Sequence, residues 1–195
     1  HSFPTRRSSD LTKKAVDESK LCNQGSAFCN KMWNAMRMLK LLEKVEKSSS
    51  ISAQKINPLA QAWMDNKLNQ LLETLEGNYE NYKLGDAMMN LYNFIWNDFF
   101  SEYLEMIKPT YGEPIDQATY DEAIVFFEKL MTVLHPLMPF ITEELWHQLK
   151  DRSEGEDCVI SNYPTVGLFD KKAFQEVDQA IDIIFGKSHQ NYLDQ

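Results

Sequence analysis

The 195-residue sequence is short of the residues that punctuate or staple a chain: seven glycines, seven prolines and three cysteines. So few glycines argue against a glycine-rich loop that cradles a nucleotide phosphate. With aromatics at 12%, low-complexity disorder is not expected either. Cys22, Cys29 and Cys158 are odd in number, hold no CxxC pair and stand at no zinc spacing, which favours a reducing compartment over a disulfide framework. No apolar run approaches the ~20 residues of a membrane span, and no signal peptide is visible, so a cytoplasmic location is expected. No stretch alternates apolar and polar residues for long enough to build a sheet. At this length a chain buries roughly 70% of its unfolded surface and folds without a metal or disulfide.

What is present is helical periodicity. Phe28, Met32, Ala35, Leu39 and Leu42 form one apolar stripe, predicting a helix over about 26–47 that ends in the polar Ser48-Ser49-Ser50. Asn57-Pro58 reads as an N-cap followed by a first-turn proline. Met64, Leu68, Leu71, Leu75, Tyr79 and Tyr82 then carry a second helix to about 82. Gly85-Asp86 reads as a break and recap, after which Met88, Leu91, Ile95, Phe99 and Met106 mark a third helix up to Pro109. Tyr111 to Pro114 reads as a loop, and Thr119-x-x-Glu122 as a capping box. Tyr120, Ile124, Phe127, Met131 and Leu134 give a fourth helix, ended by Pro136. Pro139 starts a fifth, with Ile141, Leu145 and Leu149 inward. Arg152 to Asp157 reads as a charged loop, Cys158 to Ile160 as a short extended segment, and Phe174, Val177, Ile181 and Ile184 as a last helix capped by Asp170. The expected fold class is all-α: an antiparallel helical bundle of five to six helices with short loops.

The net charge of −9 looks unhelpful for a nucleic-acid binder, but it is an average. Residues 1–47 carry a net +5 and the remainder −14. Trp33, Arg37, Lys40 and Lys44 make a basic stripe with one aromatic beside the apolar stripe of the first helix, with Lys31 and Asn34 on a third side. Such a stripe suits phosphate contact; a merely solvated helix face is the competing reading.

Other constellations are thinner. Glu144 and His147 have the Glu-x-x-His spacing of di-iron bundles, but such sites need a second pair and two further glutamates, so no metal is expected. No Gly-x-Ser-x-Gly elbow occurs, and no catalytic residue is expected. Glu154, Glu156 and Asp157 read as a solvated edge rather than an acid/base pair.

Three stretches carry more. Phe28-Cys-Asn-Lys-Met-Trp-Asn-Ala-Met-Arg37 resembles the first helix of the anticodon-binding domain of class I aminoacyl-tRNA synthetases. Ile95-Trp-Asn-Asp-Phe-Phe-Ser-Glu-Tyr-Leu-Glu-Met-Ile-Lys-Pro109 is similar to the family's Trp-x-x-Phe-x-x-x-Tyr-Leu-Glu-x-x-Lys-Pro helix. Leu134-His-Pro-Leu-Met-Pro-Phe-Ile-Thr-Glu-Glu-Leu-Trp146 is similar to its proline-punctuated segment and is the most specific of the three. The valine-specific branch matches best; the isoleucine and leucine branches carry looser forms. The resemblance covers about residues 12–185. His1 to Leu11 reads as a non-native leader resembling cloning or adapter sequence, residues 12–150 as the anticodon-binding bundle, and 151–195 as a loop, a short extended segment and a C-terminal helix.

The resemblance implies a partner, the anticodon loop of tRNA(Val), read at its second and third anticodon positions. By motif position it implies Lys31, Asn34 and Arg37 as polar or phosphate contacts. Met38 stands where the family often has an aromatic and offers apolar contact without ring stacking. Leu104 and Lys108 should lie near the same loop, and Lys20, just upstream of the first helix, is a weaker candidate. His135, Phe140 and Trp146 are expected to be structural. Neither His-x-Gly-His nor Lys-Met-Ser-Lys-Ser occurs. The isolated chain is therefore expected to have no aminoacylation activity and no cofactor of its own; ATP and Mg belong to the parent synthetase's catalytic domain, which is the second expected partner. Neither DNA nor membrane is expected as a partner. The same domain of an isoleucine or leucine enzyme, and a helical protein-interaction adaptor that binds no RNA, are the alternatives.

Overall fold

The computed structural model describes residues 8–43, 53–109 and 115–167 together with Phe174, Val177, Asp178 and Ile181. Five helical rods account for most of them, and no strand occurs among the described residues. They are α1 (Ser8–Glu43), α2 (Ala53–Glu80), α3 (Leu84–Asn93), α4 (Gln117–Leu134) and α5 (Pro139–Leu149). Helix α3 does not stop at Asn93. It runs on as a π-helix over Phe94–Tyr103 and ends in one α-turn, Leu104–Met106.

The apolar stripes decide the packing. Phe28, Met32, Ala35, Met36 and Leu39 of α1 are buried, as are Trp63, Met64, Leu68, Leu71, Leu72 and Leu75 of α2. Leu91, Ile95, Phe99 and Tyr103 line the inner side of the third rod, and Ile124, Phe127, Leu130, Met131 and Leu134 that of α4. Phe174, Val177, Asp178 and Ile181 are helical and Phe174 and Ile181 are buried, in keeping with the expected last helix; Asp170, Ile184, Lys44, the serine loop and residues 110–114 lie outside the described residues.

Several element ends differ from the sequence reading. Helix α1 begins at Ser8, well before residue 26. Asn57-Pro58 does not open α2: the helix runs through it from Ala53, and Pro58 removes one backbone hydrogen bond without ending the helix. The break before α3 falls at Tyr82 rather than Gly85. Tyr82 has φ 58°, and the Lys83 amide reaches back to the Asn78 carbonyl at 2.8 Å. This is the closing bond of a Schellman turn, with tyrosine where glycine is usual. Helix α4 is capped by Asp116, not Thr119. The Asp116 carboxylate accepts the Thr119 amide at 3.0 Å and the Thr119 hydroxyl at 2.7 Å, so the cap lies one turn upstream of the capping box. Cys158–Ile160 is a 3-10 turn rather than an extended segment.

The proline segment matches its structural reading at both ends. Helix α4 ends at Leu134 and Pro139 opens α5. The hinge is locked by His135, whose Nδ1 lies 2.8 Å from the Thr142 hydroxyl; that hydroxyl also donates to the Met138 carbonyl. Trp146 is buried, its Nε1 donating to the Glu156 carbonyl at 2.8 Å. The Arg152 guanidinium stacks 3.7 Å from its ring centroid and pairs with Glu128. Phe140 departs from expectation: it is 91% exposed, because the first turn of α5 points it away from the core.

Candidate nucleic-acid interface

Two contacts tie α1 to the third rod. Phe28 meets Tyr92 with ring centroids 5.1 Å apart, and Lys31 sits on Trp96. Three residues forward on α1 answer to four forward on its neighbour, so the two helices run in the same direction. Their C-terminal ends share one end of the bundle: Arg37 and Met38 on α1, Leu104 and Lys108 on the third rod. The sequence-derived candidates other than Lys20 therefore come from two elements brought to one end.

Their individual settings differ. Asn34 and Arg37 are exposed on the outer face of α1. Arg37 borders a shallow hollow with Trp33, Met36, Lys40, Leu41 and Gln148. Met38 is half-buried and packs against the core. Lys20 is exposed, farther up α1. Lys108 is exposed and lies 3.2 Å from Glu105. Leu104 is only 4% exposed, so its side chain supports this end from within and offers no surface to a base.

Lys31 and Lys40 are committed to the protein. The Lys31 ammonium lies 3.7 Å from the Trp96 ring centroid and 5.6 Å from that of Phe100, and donates to the Trp96 carbonyl at 3.3 Å. Burial lowers its pKa below the ordinary lysine value. Lys40 donates to the Gln148 carbonyl at 2.8 Å, satisfying an orphan carbonyl of the last turn of α5. The basic stripe is thus part structural: Arg37 presents its charge outward while Lys40 holds two helices together.

Sequence reasoning missed the aromatic platform opposite Lys31. Tyr92 and Trp96 stack at 5.5 Å, Trp96 is half-exposed, and Phe100 follows one turn on. The Ser101 hydroxyl donates to the same Trp96 carbonyl at 2.9 Å. The wider π turn sets these rings differently from an α-helix, and π segments recur at functional sites. The only signal in the sequence is aromatic density in Phe94 to Phe100, which does not distinguish the two windings.

Comparison with known proteins gives the family. A family model described as the anticodon-binding domain of tRNA ligase matches residues 61–187. Valine–tRNA ligase of Christiangramia forsetii is 39% identical over 166 residues, 85% of this chain and 19% of that protein. The Porphyromonas gingivalis valine–tRNA ligase is 41% identical over 168 residues, 86% of this chain and 19% of that protein. The Phocaeicola vulgatus enzyme is 44% identical over 147 residues, 74% of this chain and 16% of that protein. The chain spans about a fifth of the length of the curated relatives it matches. Helix α1 precedes the family-model match, but a 166-residue match on 195 residues necessarily takes in Lys31, Asn34, Arg37 and Met38. The chain belongs to the family of anticodon-binding domains of tRNA ligases.

Proposed function

We propose that this chain reads the anticodon loop of tRNA(Val) as part of a valine–tRNA ligase. One observation carries the reading: the parallel pairing of α1 with the third rod, which gathers Asn34, Arg37 and Lys108 at one end of an otherwise acidic molecule. Arg37 and Lys108 hold the loop backbone by phosphate contact, Asn34 reaches base edges, and Met38 gives apolar contact beside them. Lys20 extends the contact along α1. Lys31 keeps the α1 surface rigid through Trp96 and reaches RNA only by leaving that ring.

In this reading the chain performs no chemistry. Amino-acid activation with ATP and Mg belongs to the catalytic domain of the parent enzyme, and loop recognition here positions the acceptor end of the tRNA there. No described helix is long and apolar enough to cross a membrane, and a cytoplasmic setting suits a translation enzyme.

The test is binding of valine, isoleucine and leucine tRNA transcripts over a series of salt concentrations. We expect the valine transcript to bind most tightly, with log affinity falling linearly in log salt by counterion release. Equal binding of all three removes the valine assignment. A salt-independent interaction removes RNA recognition altogether and favours the adaptor reading.

A further inference from the structure

At the opposite side of α5 from its core face, a second group of residues converges that the tRNA reading does not use. Glu143 and His147 stand one turn apart on α5, and Asp157 comes from the loop that follows. The His147 Nε2 lies 3.0 Å from an Asp157 carboxylate oxygen and 3.3 Å from a Glu143 oxygen. All three candidate donor atoms fall within 4.8 Å of one another. The Glu-x-x-His pair suggested by spacing is not the one formed: Glu144 instead accepts a hydrogen bond from Gln148. The pair is Glu143 with His147, four apart, because that spacing stacks side chains on one helix face.

Glu143 is held from behind. Its two oxygens accept the backbone amides of Cys158 at 2.8 Å and Val159 at 3.3 Å, which also caps the 3-10 turn and brings Asp157 to His147. Such outer hydrogen bonds orient a carboxylate ligand while leaving it further lone pairs. The three side chains are each roughly a third to a half exposed, which leaves an entry path and room for a water ligand. The His147 Nε2 stands between two carboxylates; a divalent cation would serve all three groups at once.

We propose that Glu143, His147 and Asp157 form a surface site for a divalent transition-metal ion, zinc by donor chemistry. One imidazole nitrogen and two carboxylate oxygens suit Zn²⁺ better than Mg²⁺, which prefers oxygen alone. Tetrahedral zinc with ligands at ~2.0–2.2 Å needs donor–donor separations of about 3.3–3.6 Å. The two separations from His147, 3.3 and 3.0 Å, are close to that. A neighbouring set, His135, Glu143 and Cys158, is less suited. The Cys158 thiol is 2% exposed and pushed up to about 11 by burial and by Glu143, and His135 Nδ1 is engaged by Thr142. The bound ion would pin the 151–160 segment to α5.

The test is titration of the 195-residue chain with Zn²⁺ at neutral pH by calorimetry, paired with the visible spectrum of the Co²⁺ form. We expect one site that His147→Ala and Asp157→Asn each weaken by ~10-fold or more, and loss of the Co²⁺ band in both variants. Glu144→Gln, outside the trio, should bind as the unaltered chain does. Glu143 is left in place because it anchors the backbone of Cys158 and Val159. Circular dichroism is expected to show all three variants folded. Zinc binding that survives both His147→Ala and Asp157→Asn unchanged, or no binding by the unaltered chain, overturns the proposal.

Discussion

At the scale of single residues, Lys31 and Arg37 look alike in sequence and differ in structure. Both are basic residues of α1, six positions apart. Arg37 is exposed, whereas Lys31 rests on Trp96 and donates to its carbonyl. Their alanine variants should therefore separate two readouts. Arg37→Ala should leave thermal stability unchanged, weaken tRNA binding and lower the salt slope by about 1. Lys31→Ala should lose stability, by about 0.5–2 kcal/mol for a cation–π contact of intermediate exposure. Urea unfolding and salt-dependent binding, run on both variants, check the pair. A Lys31→Ala chain as stable as the unaltered one would show the Trp96 contact to be idle.

At the scale of elements, the turns and the hinge carry the information. The turn between α2 and α3 uses Tyr82 in the left-handed region, at 91% exposure. An L side chain there costs roughly 1–2 kcal/mol relative to right-handed backbone, a cost glycine escapes. Tyr82→Gly should raise stability by about 0.5–1 kcal/mol once the entropy of the unfolded glycine is counted, read as a higher urea midpoint with unchanged slope. The hinge between α4 and α5 offers a sharper contrast. Trp146 is buried under Arg152 and bonded to the Glu156 carbonyl, so Trp146→Ala should cost about 3–5 kcal/mol. Phe140, six residues earlier in the same motif, is exposed, and Phe140→Ser should fall within about 0.5 kcal/mol of neutral. Equal destabilisation by both substitutions would contradict the packing described for α5.

For the whole molecule, Asp178 is fastened to the bundle at a defined point. Asp178 accepts the Trp63 indole N–H at 2.9 Å and pairs with Lys67 at 2.8 Å. Burial opposes the charge on Lys67, but Asp98 and Asp178 outweigh it and raise its pKa. Asp178→Ala would leave the buried Trp63 N–H without its acceptor while Lys67 keeps Asp98 at 3.4 Å. The expected loss is about 1–3 kcal/mol of unfolding free energy, measured by urea titration. The same long-range organisation gives the charge its meaning. A molecule at −9 still presents Arg37 and Lys108 at one end because two helices run parallel to it.

The apolar periodicity alone determined that this chain is a helical bundle, because stripes at 3.6-residue spacing are buried by packing helices against one another. It also placed the Pro136–Pro139 hinge, since proline acts on its own backbone wherever it stands. The motif residues of α1 and the third rod were legible for the same reason, as types at fixed spacing. Tertiary structure decided what each does. Whether Arg37 faces water while Lys31 lies on an indole depends on which helix is the neighbour, and whether Leu104 is surface or core depends on what packs over it. The π winding, the capping by Asp116 one turn before Thr119, and the meeting of Glu143, His147 and Asp157 each rest on hydrogen bonds or contacts whose choice of partner the helical period leaves open.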